Sequence, residues 1–219
     1  MIFTSIVFAA SVAAAASSEV TNAQWGFRTT YPGSWIVQQG TAGPIYVSAA
    51  PPAPETLVRC NTTAEKNQET KAYTQAKLNE GLRESMGADF WSKQVFSRFQ
   101  NVKIESHAAR RHPAGIQVQQ AVASYDDQVQ GQTVRGRTST TIFVTPGATF
   151  SISCNAQAGK YAKYKNAFAG IVDSFRLADT NSVDAVQTGA PALSPVAFSA
   201  SLKTEAISGG VSFDAERTH

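Results

Sequence analysis

The stretch of sequence that most constrains the fold runs from residue 117 to residue 175. It contains three runs rich in alternating or β-branched apolar residues, at 117–125, 133–144 and 149–154, and a Pro146-Gly147 turn separates the last two. Strands joined by such short turns pair antiparallel, because a parallel crossover needs a dozen or more residues. The following segment places its apolar residues on one helical stripe: Tyr161, Tyr164, Phe168, Ile171, Val172 and Phe175. A sheet followed by an amphipathic helix predicts an α+β fold in which helices cover the sheet.

The first half of the chain carries shorter candidate strands and one candidate helix. Residues 27–31 and 35–39 flank the Pro32-Gly33 dipeptide, which predicts a small N-terminal hairpin. An apolar residue at every fourth position then predicts a second amphipathic helix that ends near Gly87. The residues of this repeat are Leu78, Leu82, Met86 and Phe90, and further strands are predicted at 45–49, 56–60 and 96–106.

Residues 1–16 have the composition of a secretory signal peptide. They contain no charged side chain and end in a run of four alanines, the small residues that a signal peptidase requires. The run is shorter than the roughly 20 apolar residues that a membrane span needs. We therefore predict cleavage after export, a periplasmic or secreted mature protein, and no transmembrane span once the signal is removed.

Export determines how the two cysteines are interpreted. In an oxidising compartment, Cys60 and Cys154 are expected to form a structural disulfide. The alternative, a redox or metal-binding thiol pair, lacks both a C-x-x-C spacing and a nearby histidine. The sequence therefore favours the disulfide.

Charge separates the folded part from a tail. Residues 17–177 hold 17 basic and 11 acidic side chains, whereas residues 178–219 hold 2 basic and 5 acidic ones. The tail has no Trp, Tyr or Cys and is rich in small residues, so it lacks the apolar area needed to offset the entropy of ordering. We predict one domain at 17–177 and a disordered tail at 178–219. The formal charge of the whole chain, +3, is too small to indicate nucleic acid.

Basic residues on neighbouring candidate strands are a possible binding surface. If these strands lie side by side, the patch faces an anionic partner such as an envelope polymer or phospholipid headgroups. The alternative is a solvated sheet edge, where charges prevent edge-to-edge aggregation. The candidate residues are Lys103, Arg110, Arg111, Arg135 and Arg137.

The sequence offers little for catalysis or metal binding. There is no G-x-S-x-G motif, and we interpret His107 and His112 as solvated or loop histidines rather than bases. Arg110 and Arg111 lie between the two histidines and would repel a cation. The H-x4-H spacing of the histidines also does not fit a helical ligand pair. Asp126 and Asp127 are interpreted as residues of a polar turn. No catalytic residue, metal or cofactor is predicted.

The aromatic residues at both ends of the folded part resemble a known family. The spacing F-x-x-x-Y-P-x-x-W, from Phe27 to Trp35, resembles the opening of the PsbP/DcrB-like superfamily, and residues 150–154 and 161–175 are similar to its closing strand and helix. The resemblance covers about residues 24–177. It implies a PsbP-like α/β/α sandwich, in which helices flank a central antiparallel sheet with a small N-terminal hairpin. Members are photosystem II subunits or bacterial envelope proteins, which implies binding without catalysis.

Two functional hypotheses follow from these observations. The first is an exported, non-enzymatic binding or assembly module that engages a protein or complex of the cell envelope. The second is a protein that binds a small ligand or an anionic polymer beside the basic strands. A protein-docking module requires an exposed apolar patch, whereas a ligand-binding protein requires a pocket with convergent polar groups.

Overall fold

The computed structural model describes residues 17–40 and 45–177. The predicted signal peptide, 1–16, and the predicted disordered tail, 178–219, lie outside the described residues. The strands are β1 (Ser17–Asn22), β2 (Phe27–Pro32), β3 (Ile36–Gln39), β4 (Ile45–Ala50), β5 (Val58–Lys66), β6 (Gln100–Arg111), β7 (Gln117–Val129), β8 (Gln132–Thr145), β9 (Ala148–Gln157) and β10 (Arg176–Leu177). The helices are α1 (Gln75–Gly81), α2 (Ala88–Phe90) and α3 (Tyr161–Ser174).

The strands form two antiparallel sheets. The large sheet has the order β3-β4-β5-β9-β8-β7-β6, and the small sheet has the order β1-β2-β10. Helix α3 packs on one face of the large sheet, while α1 and a π-helical turn at Trp91–Val95 pack on the other. The predicted α+β class, with a central antiparallel sheet flanked by helices, is confirmed.

The N-terminal hairpin exists, but its strands differ from those predicted. It is formed by β1 and β2, whereas β3 pairs with β4 in the large sheet. The Pro32-Gly33 segment instead connects β2 in the small sheet to β3 in the large sheet. Trp35, which follows this segment, is buried against α3. Its indole makes edge contacts with Tyr164 and Phe168, with ring centroids 6.3 Å apart in both pairs. The predicted hairpin between residues 27–31 and 35–39 is therefore wrong.

The predicted helix with the four-residue apolar repeat is interrupted. Helix α1 ends at Gly81, and Gly87 precedes α2 rather than ending a helix. The side chain of Gln119 binds the chain in this gap: its Nε2 donates to the carbonyls of Leu82 and Glu84 at 2.9 Å, and its Oε1 accepts from the Met86 amide at 3.0 Å. A buried glutamine thus replaces the backbone hydrogen bonds of a continuous helix.

One further predicted strand also starts later than expected. Strand β6 begins at Gln100, since residues 96–99 form a turn in which the Phe99 amide donates to the Phe96 carbonyl at 3.0 Å. Phe96 is buried with Trp91 in the core beneath α1. Its apolar side chain therefore packs in the core although the residue belongs to a turn and not to a strand.

The core beneath α3 is built around Phe175, the residue that ends this helix. Its ring is fully buried and lies 4.3 Å from the ring of Phe143, 5.4 Å from Phe150 and 5.7 Å from Phe27. These partners belong to β8, β9 and β2, so one side chain joins both sheets. Phe-to-Ala substitutions at such sites cost about 3–5 kcal/mol.

The two cysteines form the disulfide that was predicted. Cys60 and Cys154 face each other across β5 and β9, with their Cα atoms 4.0 Å apart, and both are fully buried. The bond closes a loop that contains most of the large sheet, because the two residues are 94 positions apart.

We expect replacement of both cysteines by alanine to lower the free energy of unfolding by about 4–5 kcal/mol, the chain-entropy value for a loop of this length. Chemical denaturation of the oxidised wild type and the double variant measures the difference. A thiol assay on unreduced, unfolded wild-type protein should detect no thiol. Two reactive thiols in that assay would contradict the disulfide.

A second prediction concerns Gly136, which lies opposite Tyr125 in the β7–β8 pair. A Cβ atom at this position would lie 2.6 Å from Cζ of the fully buried Tyr125 ring. We expect Gly136→Ala to lower the free energy of unfolding by about 1–3 kcal/mol because the ring has no room to move. The matched control is Gly170→Ala in α3, where a Cβ meets nothing within 4 Å and where alanine should stabilise by about 0.5–1 kcal/mol. Equal effects of the two substitutions would contradict the packing argument.

Candidate functional site

Helix α3 covers only part of its face of the large sheet. It packs against β2, β9 and β8, and the same face of β7 and the edge strand β6 extends beyond it. Between the flank of α3 and these strands is an open groove of about 350 Å³, which we call the α3 groove. This volume is within the range of small-molecule sites.

The floor of the α3 groove is a hydrogen-bond network that crosses the three strands β6, β7 and β8. Arg110 Nε donates to Gln120 Oε1 at 3.2 Å, and Gln120 Nε2 donates to Ser139 Oγ at 3.4 Å. The hydroxyl of Tyr161, at the start of α3, also lines the groove beside Ser139, and burial raises the pKa of this hydroxyl. That hydroxyl therefore stays protonated at neutral pH. Each side chain is held by its neighbour, so the network presents its polar groups in fixed positions.

The rest of the lining is apolar and small. Ala108 and Val122 contribute from the strands, and Phe168 and Ala169 contribute from α3. Phe168 is almost fully buried, while Ala108 and Ala169 are exposed at the rim. The groove thus offers an apolar wall on each side of the polar floor.

Three charged side chains line the groove: Arg110, Lys165 and Asp173. Arg110 Nη2 forms an ion pair with Asp173 Oδ1 at 2.8 Å, which joins β6 to the last turn of α3. Lys165, on the groove flank of α3, has no carboxylate within ion-pair distance among residues 17–40 and 45–177. The groove lining therefore has one positive charge in excess.

The predicted basic patch is divided between the two faces of the sheet. The β-sheet register places Arg110 opposite Val118 on the α3 face, and Arg111 opposite Gln117 on the other face. Lys103 and Arg137 both lie opposite Ser124, on the α3 face. Arg135 reaches the same Ser124 hydroxyl with its Nη2 at 2.9 Å. Four of the five candidates therefore share one face, and Arg111 does not.

The three arginines on this face are already paired with carboxylates. Besides Arg110, Arg135 binds Asp126 at 2.8 Å and Arg137 binds Glu105. Asp126 and Asp127 lie inside β7 rather than in a turn, so their interpretation as turn residues was wrong. The turn is at 130–131, where the backbone φ is positive. Much of the apparent basic patch is thus a set of ion pairs, which join β8 to β7, β8 to β6 and β6 to α3.

Sequence reasoning missed the residues that shape the groove, namely Lys165, Gln120, Ser139 and Asp173. One signal was present in the sequence: strand alternation places Gln120 on the same face as Val118 and Val122. A polar residue between two core positions indicates a place where that face is not covered. Lys165 gave no such signal, because a lysine beside a helical stripe looks like any solvated residue.

The two histidines occupy different environments. His107 is exposed on β6, and its Nδ1 lies 2.7 Å from Ser85 Oγ. His112 lies in the loop between β6 and β7, as one of the two interpretations predicted, but it is buried and therefore not solvated. Its Nδ1 accepts from the Ala114 amide at 3.0 Å, so its Nε2 donates to the Val172 carbonyl at 2.9 Å. The ring thereby fastens the β6–β7 turn to the end of α3, next to the Arg110–Asp173 pair.

Comparison with known proteins identifies similar folds. No family model and no curated protein matches the sequence. Among solved structures, the chain is similar to the PsbP protein CyanoP from Synechocystis sp. PCC 6803, with 12% identity and a TM-score of 0.48 over 78% of this chain and 98% of that one. It is similar to LpqN of Mycobacterium tuberculosis, described as involved in cell envelope biogenesis, with 12% identity and a TM-score of 0.44 over 74% and 90% of the two chains.

A third similar structure is the Saccharomyces cerevisiae Ran-binding protein Mog1p, with 9% identity and a TM-score of 0.46 over 75% and 97% of the two chains. The first of these structures bears the family name that the aromatic motifs resemble. At these identities the similarity concerns the fold alone, and it transfers no site or ligand to this chain.

Within the described ranges, no helix has both the length and the apolar composition needed to cross a bilayer.

The buried His112 predicts a pH dependence of stability. Burial, followed by the charges of Arg110 and Arg176, lowers its pKa below the ordinary 6.5. As the pH falls through about 6.5, the unfolded chain binds a proton that the folded chain does not bind, so the free energy of unfolding decreases. Above about 6.5 this contribution is fully present.

We therefore expect the wild type to lose stability between about pH 7 and pH 5, and His112→Gln to lose less over the same interval. His107→Gln is the control and should keep the wild-type slope. Urea denaturation at several pH values measures the slopes. Parallel slopes for wild type and His112→Gln would contradict the assignment.

Proposed function

We propose that this protein is an exported, non-catalytic binding module that takes a ligand into the α3 groove. The observation that carries the proposal is the hydrogen-bond network from Arg110 through Gln120 to Ser139 on the groove floor, beside the Tyr161 side chain. Side chains that are held in place before a ligand arrives lose little conformational entropy on binding. Fixed polar groups between apolar walls are the usual composition of a small-ligand site.

The structure favours the second sequence-based hypothesis over the first. Ile36 is the only large apolar side chain that is exposed within the described ranges. A single exposed residue does not form a docking patch for a protein. The groove, by contrast, has the convergent polar groups expected of a ligand-binding protein. The envelope partner protein of the first hypothesis stays a prediction.

The chemistry of the groove supports holding a ligand rather than converting it. The carboxylate of Asp173 is neutralised by Arg110, and both ring nitrogens of the nearby His112 are engaged in hydrogen bonds. The Tyr161 hydroxyl has a raised pKa and so is a donor rather than a base at neutral pH. These groups bind and orient, and none is poised to accept a proton.

Export is supported by two independent features. Residues 1–16 have the composition of a signal peptide. The buried Cys60–Cys154 disulfide is of the kind that persists in oxidising compartments. We place the mature protein in the periplasm or outside the cell.

Co-purification tests the proposal. The exported protein is isolated from its native host, and the small molecules bound to it are released and identified by mass spectrometry. The groove is blocked in Ala169→Trp, because an indole at this exposed lining position fills it. The control is Asn166→Trp, on the outer side of α3, which does not line the groove.

We expect a bound small molecule in wild type and in Asn166→Trp, and its loss in Ala169→Trp. Thermal unfolding of both variants verifies that the fold is kept. Retention of the same molecule by Ala169→Trp would show that the α3 groove is not the site.

A further inference from the structure

We propose that the ligand of the α3 groove is a small carboxylic acid with a single negative charge and a compact apolar body. This inference rests on the proposed function and adds the chemical class of the ligand. It is carried by the arrangement of charges and donors around the groove.

The anion-binding end is formed by Lys165 and Arg110. Two of the Arg110 nitrogens are engaged, Nε with Gln120 and Nη2 with Asp173, which leaves the Nη1 donors of a guanidinium that provides five in all. Lys165 adds an ammonium group that no described carboxylate neutralises. A carboxylate that reaches either of these groups receives charge-assisted hydrogen bonds, which are about twice as strong as neutral ones.

The charge of the lining selects a monoanion. Arg110 and Lys165 contribute two positive charges and Asp173 contributes one negative charge. A carboxylate brings the groove to neutrality, whereas a phosphate monoester would leave a second negative charge close to Asp173. Repulsion between like charges in a partly buried site makes the free energy of binding less favourable.

The remaining lining requires an apolar body of limited size. Val122 and Phe168 form apolar surface beside the charged end, and Ala108 and Ala169 leave the rim open. The groove of about 350 Å³ is at the lower end of small-molecule sites. A short aliphatic chain or a single aromatic ring therefore matches it better than a polymer.

The experiment compares acids with neutral molecules of the same shape. Isothermal titration calorimetry of the full mature chain is carried out with benzoate and benzamide, with hexanoate and hexanamide, and with phenyl phosphate. The charge variant is Lys165→Gln. The matched control is Lys77→Gln. Lys77 is an exposed lysine of α1, on the opposite face of the sheet, and forms an ion pair with Glu80.

We expect at least one acid to bind more tightly than its amide, and Lys165→Gln to weaken that binding tenfold or more. Lys77→Gln should leave the affinity unchanged. Raising the salt concentration from about 50 to about 500 mM should weaken binding of the acid, because the groove is open to solvent. Ala169→Trp should abolish binding.

Three results would overturn the inference. The first is equal binding of an acid and its amide, both lost in Ala169→Trp; the groove would then be a binding site for another class of ligand, and the proposed function would stand. The second is tighter binding of phenyl phosphate than of either acid. The third is no binding of either acid at about 10 mM, in which case the co-purification experiment decides separately whether the groove binds any small molecule.

Discussion

The burial of Phe175 is the interaction on which the rest of the structure depends. Its ring is in contact with Phe27 of the small sheet and with Phe143 and Phe150 of the large sheet, and it directly follows the last residue of α3. Three layers of structure therefore meet at one side chain. Because the aromatic stripe of α3 must reach this cluster, the helix lies over β2, β9 and β8 and leaves β7 and the edge strand β6 uncovered.

The α3 groove is a consequence of this position of the helix. Strands β6 and β7 extend beyond the helix, and their uncovered residues on this face include polar ones such as Gln120. A polar side chain in that place would be costly in a closed core, but here it is hydrogen-bonded on one side to Arg110 and on the other to Ser139. The groove is thus held open by the same packing that stabilises the core, and its polar floor is positioned before a ligand binds.

The electrostatics of the sheet show why a count of charges was a poor guide to the site. The arginines of β8 pair with carboxylates of the same sheet, Arg135 with Asp126 on the adjacent β7 and Arg137 with Glu105 on β6, and these pairs offset the positive charge of the arginines. The positive charge in excess lies in the groove. It comes from Lys165 on helix α3, which is distant in sequence from the basic strands β6 and β8.

Several properties of this protein are determined by the sequence itself. The alternation in residues 117–154 and the stripe from Tyr161 to Phe175 predict the antiparallel sheet and its closing helix, because periods of 2 and 3.6 residues are local properties of a chain. The disulfide was predictable from the export signal and the cysteine count. The tertiary structure alone decided that β3 joins the large sheet, that Gln119 interrupts a helix, and that Arg110, Gln120, Ser139 and Lys165 meet in one groove. Those outcomes depend on strand register and on where the aromatic stripe of α3 finds its partners, which are contacts between distant residues that no local pattern contains.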